Sequence, residues 1–488
     1  MRTFRWSLLS FGLLARLGLG GFAAQAEGQA THQDEFALRK TLIAIRQVDL
    51  SAAVRVDERG YPRLDAAKLD LANPRIVERK HRAVVLENRY VRVTLLPEMG
   101  RIHSLVSRFT GHEQLWINPV AKPLPGQLND TGWWMVWGGV EYTIPRGEHG
   151  TTWALPWAWK VTDDSARRKA VRMTVVEPQT RLRQSLEIAL TPQSAAYEAS
   201  IRITNTGSRE VRFSHWMNAM LAPGGRGELT PNTELVVPCA AMVVAERDFN
   251  HWMLGERVQD FERNPLRWVK HWRSIGDLLA TNLTHGFYGA FSHDVGEGVV
   301  RVFDPRITPG MDIWTWGYPP PPALQREYSL QPNLGYVELW GGTVPDFSDD
   351  ALRPLADGDT REWKEWLFPF HGTGGLTFAN RQAAVCCELN PQSREISLGV
   401  FATLPLPRAT VELRLARQVI LSERADLSPE APWRRTLRLP EGADASQARP
   451  VLTLRQGRRT LLTCEARPQL PVLWGGQYLP AATDNGRQ

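Results

Sequence analysis

The feature that most constrains the fold is a long succession of short, β-branched runs that alternate between apolar and polar residues. From Ala83 to about Pro369 these runs are separated by Gly, Pro, Asn and Asp, and no amphipathic helical stretch of 15 residues interrupts them. Examples are residues 83–87, 91–95, 171–176 and 199–204. About 290 residues of this kind without a helical layer predict a large antiparallel sandwich or barrel.

The pattern of alternating strand-like runs changes at both ends of this region. Residues 371–375 read His-Gly-Thr-Gly-Gly, which is typical of a linker, and strand-like runs then recur about every ten residues to Cys464. We therefore predict a large all-β unit over residues 81–372 and a small immunoglobulin- or fibronectin-like sandwich over 376–488. Residues 27–80 form an N-terminal extension, in which Leu38 to Gln47 is predicted to make a short helix.

The first 26 residues have the three parts of a secretory signal peptide. Arg2 and Arg5 precede an apolar stretch that ends in Ala-Gln-Ala at Ala26. We expect cleavage near Ala26 and a periplasmic or secreted mature protein, with no membrane span. No later segment is apolar enough to cross a bilayer.

The net charge of +6 does not indicate a nucleic-acid partner. The 58 basic residues are mostly arginines scattered among acidic ones, and no basic run of five occurs.

The four cysteines, which show no metal-type spacing with histidine, are Cys239, Cys386, Cys387 and Cys464. In an oxidising compartment Cys464 could pair with Cys386 or Cys387, and buried free thiols are the alternative. We predict no metal and no cofactor.

Tryptophan is concentrated in the large unit, where 16 of the 19 indoles fall between residues 81 and 375. An indole covers the apolar face of a pyranose while its N–H reaches a hydroxyl, so a few of these residues are expected to line a sugar cleft and the others to fill the core. The expected partner is a mono-, oligo- or polysaccharide.

Three titratable residues lie near the ends of apolar, strand-like runs. His149 follows Pro-Arg-Gly-Glu, His215 is followed by Trp-Met-Asn, and Glu338 lies in Tyr-Val-Glu-Leu-Trp. A buried carboxylate needs a compensating partner or acquires a raised pKa. Taken singly, each residue fits a structural role better than a functional one, but together they suggest an acid–base set.

Several stretches resemble the galactose-mutarotase-like, or aldose 1-epimerase-like, superfamily, and in particular an uncharacterised bacterial family within it. The similar segments are residues 86–102, 138–145, 300–305 with 314–317, and 336–339. The resemblance covers about residues 80–370. It implies an antiparallel β-supersandwich with a sugar cleft on its concave face.

The same resemblance implies roles for individual residues. Glu338 corresponds to the catalytic base, His215 to the acid and His149 to a supporting histidine. Residues expected to contact the substrate are Glu141, Tyr142, Arg146, Trp137, Trp216, Asn218, Trp316 and Trp340.

Three functions remain open from the sequence. The first is an aldose 1-epimerase-like enzyme that acts at a sugar's anomeric centre. The second is glycan cleavage, either with Glu141 and Glu338 as paired carboxylates or as a lyase that uses Tyr142 and Arg146. The third is a noncatalytic carbohydrate-binding envelope protein, because one fold can serve all three.

Overall fold

The computed structural model describes residues 36–127, 129–225, 227–245, 252–253, 257–331 and 335–469. The predicted signal peptide lies outside these ranges. Over the described residues the protein is nearly all β, as the alternating runs predict. The longest helix among them is α1 (Pro322–Tyr328), and none is long and apolar enough to cross a membrane.

The large unit contains the first 25 strands. Their bounds are β1 Ala37–Val48, β2 Val54–Val56, β3 Pro62–Leu64, β4 Ile76–Glu87, β5 Val91–Leu96, β6 Arg101–Ser107, β7 Ile117–Pro125, β8 Trp133–Gly138, β9 Val140–Thr143, β10 Ala158–Asp164, β11 Lys169–Val176, β12 Leu182–Leu190, β13 Tyr197–Asn205, β14 Val211–Phe213, β15 Trp216–Leu221, β16 Thr233–Val236, β17 Cys239–Val244, β18 Arg257–Gln259, β19 Gly276–Leu283, β20 Phe287–Ser292, β21 Glu297–Val302, β22 Gly310–Thr315, β23 Val337–Gly342, β24 Arg353–Leu355 and β25 Thr360–His371. Short 3₁₀ turns lie at Ala66–Lys68, Pro97–Met99, Thr152–Ala154, Phe261–Arg263, Pro265–Arg267, Val269–His271 and Asp349–Ala351.

Two large sheets build this unit. A 13-stranded sheet has the order β18-β17-β19-β22-β23-β15-β9-β6-β5-β4-β1-β7-β8, and an 8-stranded sheet has the order β10-β11-β12-β13-β25-β21-β20-β16. Their facing side chains form one hydrophobic core, in which residues of β9, β15 and β23 contact residues of β11, β12 and β25. Because side chains alternate along a strand, the intervening residues of β9, β15 and β23 lie on the opposite face of the 13-stranded sheet, which we call the open face.

The last strands form two smaller sheets. Their bounds are β26 Phe378–Asn380, β27 Ala383–Asn390, β28 Glu395–Ala402, β29 Leu406–Leu415, β30 Gln418–Leu427, β31 Trp433–Arg438, β32 Val451–Gln456, β33 Arg459–Glu465 and β34 Arg467–Pro468. A five-stranded sheet with β34 at its side and a four-stranded sheet enclose a second core, whose buried residues all come from positions 383–466. The fold class is therefore all-β with a C-terminal sandwich, as predicted.

The predicted helix over Leu38 to Gln47 is wrong, because this segment is strand β1. It pairs antiparallel with β4 along its whole length, from Ala37 opposite Glu87 to Val48 opposite Ile76. Leu, Arg, Lys and Gln favour a helix only weakly, and a 12-residue ladder with a neighbouring strand overrides that preference. The strand extends the large sheet into the N-terminal extension.

The cysteines of the C-terminal sandwich are free thiols in the structure, as is Cys239. Cys387 shares the second core with Cys464 and forms a hydrogen bond with its thiol. Cys386 points the other way, since neighbouring residues on a strand face opposite sides, and its sulfur lies next to Gly375. Of the two partners left open for Cys464, the structure brings Cys387 to it.

Candidate functional site

A row of polar residues crosses the middle of the open face. Asn218 of β15 lies opposite both Glu141 of β9 and Trp340 of β23, and Trp340 lies opposite Asp312 of β22. In the adjacent row Glu338 lies opposite Trp314. The register of four neighbouring strands thus gathers three carboxyl groups from distant parts of the sequence on one surface.

Asp312, Trp314, Glu338 and Trp340 line a narrow cavity that we call the Glu338 cleft. Its lining residues are Leu124, Gln127, Trp134, Glu148, His149, Asp312, Trp314, Tyr328, Glu338 and Trp340. The volume of the cleft is about 40 Å³, which has room for part of a sugar rather than for a whole ring. Gln127, Glu148 and His149 also line an outer space of about 280 Å³, together with Asn129, Arg146, Gly147, Phe347 and Asp349.

A buried ion pair lies beneath the cleft. The Arg101 guanidinium donates to the Glu141 carboxylate and to the Gly138 carbonyl, and the Trp134 indole donates to Glu141 Oε2 at 3.1 Å. Burial alone would raise the pKa of Glu141, but Arg101 and His149 more than compensate and lower it below its usual value. Glu141 is therefore an ionised carboxylate at neutral pH.

Glu141 orients His149. The Nδ1 atom of His149 lies 2.6 Å from Glu141 Oε1, and the imidazole stacks on Trp134 with ring centroids 3.8 Å apart. Burial lowers the pKa of His149 although Glu141 opposes the shift, so the ring is neutral at neutral pH. Since an ionised carboxylate can only accept, the proton belongs on Nδ1 and leaves Nε2 as an acceptor.

Unlike Glu141, which is ionised at neutral pH, Glu338 keeps its proton. Burial, followed by the negative charge of Glu141, raises the pKa of Glu338 to about 8, although the neighbouring Tyr336, Trp340 and Asn218 oppose the shift. The Trp340 indole donates to Glu338 Oε2 at 2.8 Å. A carboxyl group with this pKa carries its proton at neutral pH and can donate it. The cleft thus combines a neutral imidazole with a protonated carboxyl.

A second buried carboxyl pair lies beside Glu338. Asp312 and Asp277 are hydrogen-bonded to each other, and burial together with the charge of Asp277 raises the pKa of Asp312 well above its usual value. Neither residue was predicted from the sequence, although each is a carboxylate within an apolar strand, the same pattern that singled out Glu338. Arg101, Trp134, Gln127 and Glu148 were also missed.

His215 does not lie in the Glu338 cleft. It is fully buried between the two large sheets, where its ring is 4.9 Å from Trp363 and 6.1 Å from Tyr142. Neither ring nitrogen has a hydrogen-bond partner among the described residues. Burial lowers its pKa to about 4, so the ring is neutral at neutral pH. Its role as the acid stays a prediction, and its position does not favour it.

The remaining predicted residues are spread over several places. Asn218 lies beside Glu338, Trp340 lines the cleft, and Arg146 lines the outer space, where it pairs with Asp130 and Asp349. Three others pack elsewhere: Tyr142 lies in the core between the sheets, Trp216 against Phe347 and Trp316 against Trp116. Trp137 lies in a different groove, with Trp133 and Trp153.

The cleft offers carboxylates and one imidazole, which are possible metal ligands. Within the described ranges, however, no group of three or more His, Cys, Asp or Glu side chains is placed to hold a metal ion.

Comparison with solved structures shows similarity in fold. The chain aligns with a TPR-domain containing protein from Parabacteroides distasonis at 17% identity and a TM-score of 0.55, covering 68% of this chain and 55% of that one. It thus spans about half the length of that protein. Most other aligned structures are galactose-mutarotase-like or aldose 1-epimerase-like, the superfamily that the sequence resembles.

Two of these structures show how similar the aligned proteins are in sequence and in fold. A galactose mutarotase-like protein from Clostridium acetobutylicum is 12% identical with a TM-score of 0.43, covering 60% of this chain and 96% of that chain. A galactose mutarotase related enzyme from Lactobacillus acidophilus is 12% identical with a TM-score of 0.39, covering 61% of this chain and 100% of that chain.

Family profiles match both parts of the chain. Residues 378–463 match a profile described as the second domain of YphG-like protein. Residues 65–365, more than half of the chain and including every residue of the Glu338 cleft, match a profile described as a domain of unknown function, DUF5107. The chain is therefore a member of the DUF5107 family.

Proposed function

We propose that the Glu338 cleft performs acid–base chemistry at the anomeric centre of a sugar, as an aldose 1-epimerase does. The observation that carries the proposal is the pairing of a protonated Glu338 with a neutral His149 in one cleft. Two titratable groups whose surroundings push their pKa values apart are the usual arrangement of a working acid and base. Each proton transfer of this kind contributes about 10²–10⁴-fold to a rate.

In the proposed reaction His149 and Glu338 each transfer one proton when the sugar ring opens and one when it closes. His149 Nε2 removes the proton from the anomeric hydroxyl while Glu338 protonates the ring oxygen, and the bond between the anomeric carbon and the ring oxygen breaks. Rotation of the open-chain aldehyde and reversal of both transfers give the other anomer. Glu141 stabilises the imidazolium that forms, and Arg101 keeps Glu141 ionised.

The lining of the cleft supports a sugar as the substrate. Trp134, Trp314 and Trp340 supply flat apolar surfaces, and carboxyl and amide groups from Gln127, Glu148 and Asp312 lie between them. A sugar presents the matching combination of a C–H face and hydroxyl groups. The cleft would take the reacting edge of the sugar, with the remainder of the substrate in the outer space.

Glycan cleavage at the same acid is the second candidate, and a protonated Glu338 favours it because a glycosidic oxygen also needs a proton donor. It ranks lower because Glu141, the proposed second carboxylate, is already bound by Arg101 and His149. If the protein were a lyase, Arg146 would neutralise a uronate, but this arginine is paired with Asp130 and Asp349.

The test is an assay of the whole protein against pure anomers of common aldoses and against oligosaccharides. Polarimetry detects accelerated mutarotation, reducing-end assays detect hydrolysis, and ultraviolet absorbance detects the unsaturated products of a lyase. We expect mutarotation, and a loss of about 10²–10⁴-fold in Glu338→Gln, which keeps the shape but cannot carry the acidic proton. Saccharide binding without turnover in the parent protein would support the noncatalytic alternative instead.

We also propose that the mature protein begins after residue 26 and acts outside the cytoplasm, with the large unit and the C-terminal sandwich as separate domains. Mass spectrometry of the protein recovered from the periplasm or the culture medium of the native cells tests where the mature N-terminus lies. An N-terminus that still contains residues 1–26 would contradict it.

A further inference from the structure

A second groove, which we call the Trp groove, lies on the other side of strand β8. Trp133, Met135 and Trp137 line it, whereas Trp134 between them lines the Glu338 cleft, because successive side chains of a strand point in opposite directions. The other lining residues are Gln47, Leu50, Ser51, Val54, Pro62, Arg79, His81, Glu98, Met99, Trp153, Ala154, Leu155 and Pro156. Its volume of about 480 Å³ falls in the range of small-molecule sites.

Aromatic rings form its walls. Trp133 and Trp153 meet edge to face with centroids 4.9 Å apart, and the Trp133 indole donates to the Pro62 carbonyl at 2.9 Å. Trp137 is half-buried and meets the His81 ring edge-on at 5.8 Å. The rings are therefore held in fixed orientations, and Trp137 keeps part of its surface open.

Three polar atoms on side chains that line the groove have no hydrogen-bond partner in the part of the chain that the structure describes. They are Gln47 Oε1, His81 Nε2 and Trp153 Nε1, from β1, β4 and the turn Thr152–Ala154. Gln47 is only 4% exposed and Trp153 only 8%. Leaving a buried polar atom unsatisfied costs about 1–3 kcal/mol, and such groups are uncommon in native proteins. The three atoms belong to side chains that line one cavity, so a rotation of these side chains would bring each atom to a ligand that completes its hydrogen bonds.

We propose that the Trp groove is a second saccharide-binding site, which holds a pyranose ring against Trp137 with its hydroxyls bonded to Gln47, His81 and Trp153. A sugar offers a C–H face for the indole and hydroxyls that both donate and accept. A fatty chain would leave the three polar atoms unpaired. The single Arg79 beside Glu98 gives no basic surface for a nucleic acid.

The site is distinct from the proposed active site. No residue of the Trp groove lines the Glu338 cleft or its outer space. Strand β8 borders both sites, since Trp134 lines the cleft and Trp133 the groove, and so does the segment 149–153, since His149 lines the cleft and Trp153 the groove. Binding at the groove needs no chemistry at Glu338 and can be measured whether or not the protein turns over a sugar.

The test is calorimetric titration of the full chain with cellohexaose, maltohexaose, mannohexaose and xylohexaose. We expect at least one to bind, and Trp137→Leu and Gln47→Met each to weaken that binding by about fivefold or more. Gln47→Met removes an unpaired buried carbonyl at nearly constant shape, so its melting temperature should be unchanged or higher, which separates lost binding from lost folding.

One further variant locates the binding. Trp159→Leu removes another half-buried indole outside the groove and should keep the affinity within about twofold. No binding up to about 10 mM in the parent protein, or binding that survives both Trp137→Leu and Gln47→Met, would overturn the proposal. So would capture of a short peptide such as hexa-alanine in place of the saccharides.

Discussion

Nδ1 of His149 lies 2.6 Å from Oε1 of Glu141, and both residues are buried beside the raised-pKa carboxyl of Glu338. This contact fixes the tautomer of the imidazole. It also makes His149, rather than His215, the histidine whose free nitrogen is available to a substrate in the cleft.

The first prediction separates the two histidines. His149→Gln is expected to lower turnover by about 10²–10⁴-fold, because glutamine cannot take up a proton. His215→Leu should change turnover by less than about threefold and leave the melting temperature unchanged or higher, since it removes two buried nitrogens without partners. Steady-state kinetics and thermal denaturation check both. A large loss of turnover in a folded His215→Leu protein would restore His215 as the acid.

The second prediction concerns the pH dependence of turnover. Glu338 must be protonated to act as the acid, and its pKa is about 8, so kcat/KM should fall as the pH rises through about 8. The pKa of His149 is lowered, so the acidic limb should lie below the ordinary histidine value of 6.5. A pH–rate profile of the parent enzyme measures both limbs. Activity that instead rises through pH 8 would mean that Glu338 acts as an ionised base.

The third prediction concerns stability. The pKa of Glu338 is raised from 4.5 in the unfolded chain to about 8 in the folded protein. The protonated side chain is thus compatible with folding below about pH 4.5, and stability is lost as the pH rises from 4.5 through about 8. The total loss is on the order of 5 kcal/mol.

Glu338→Gln should remove this part of the pH dependence, so the variant gains stability relative to the parent between pH 4.5 and 8. Urea denaturation at a series of pH values measures the difference, with the exposed Glu395→Gln as a matched control. Parallel curves for the parent and Glu338→Gln would show that the buried carboxyl is not protonated in the folded state.

The fourth prediction is a disulfide between Cys387 and Cys464 after treatment with a thiol oxidant, which accepts the two electrons and two protons released. Their thiols are hydrogen-bonded, whereas Cys386 faces away. Peptide mapping by mass spectrometry should find this pair in the parent and in Cys386→Ser but not in Cys387→Ser. The bond should stabilise the folded protein by about 4 kcal/mol. A Cys386–Cys464 peptide would contradict the assignment.

The sequence alone determined the class of fold and much of the local structure. Alternation with period two specifies strands whatever their neighbours are, and the predicted runs at 83–87, 91–95, 171–176 and 199–204 lie within β4, β5, β11 and β13. The same reasoning identified Glu338, since a carboxylate in an apolar strand is costly unless its surroundings accommodate it.

Only the tertiary structure decided which strands are neighbours and which face of each strand is buried. Leu38 to Gln47 became a strand because β4 was available to pair with it, and Asp312 joined the cleft because β22 lies beside β23. His215 and Glu338 have similar local sequence contexts, yet one lies between the sheets and the other on the open face. Sheet order and register are long-range pairings, so no local pattern in the sequence specifies them.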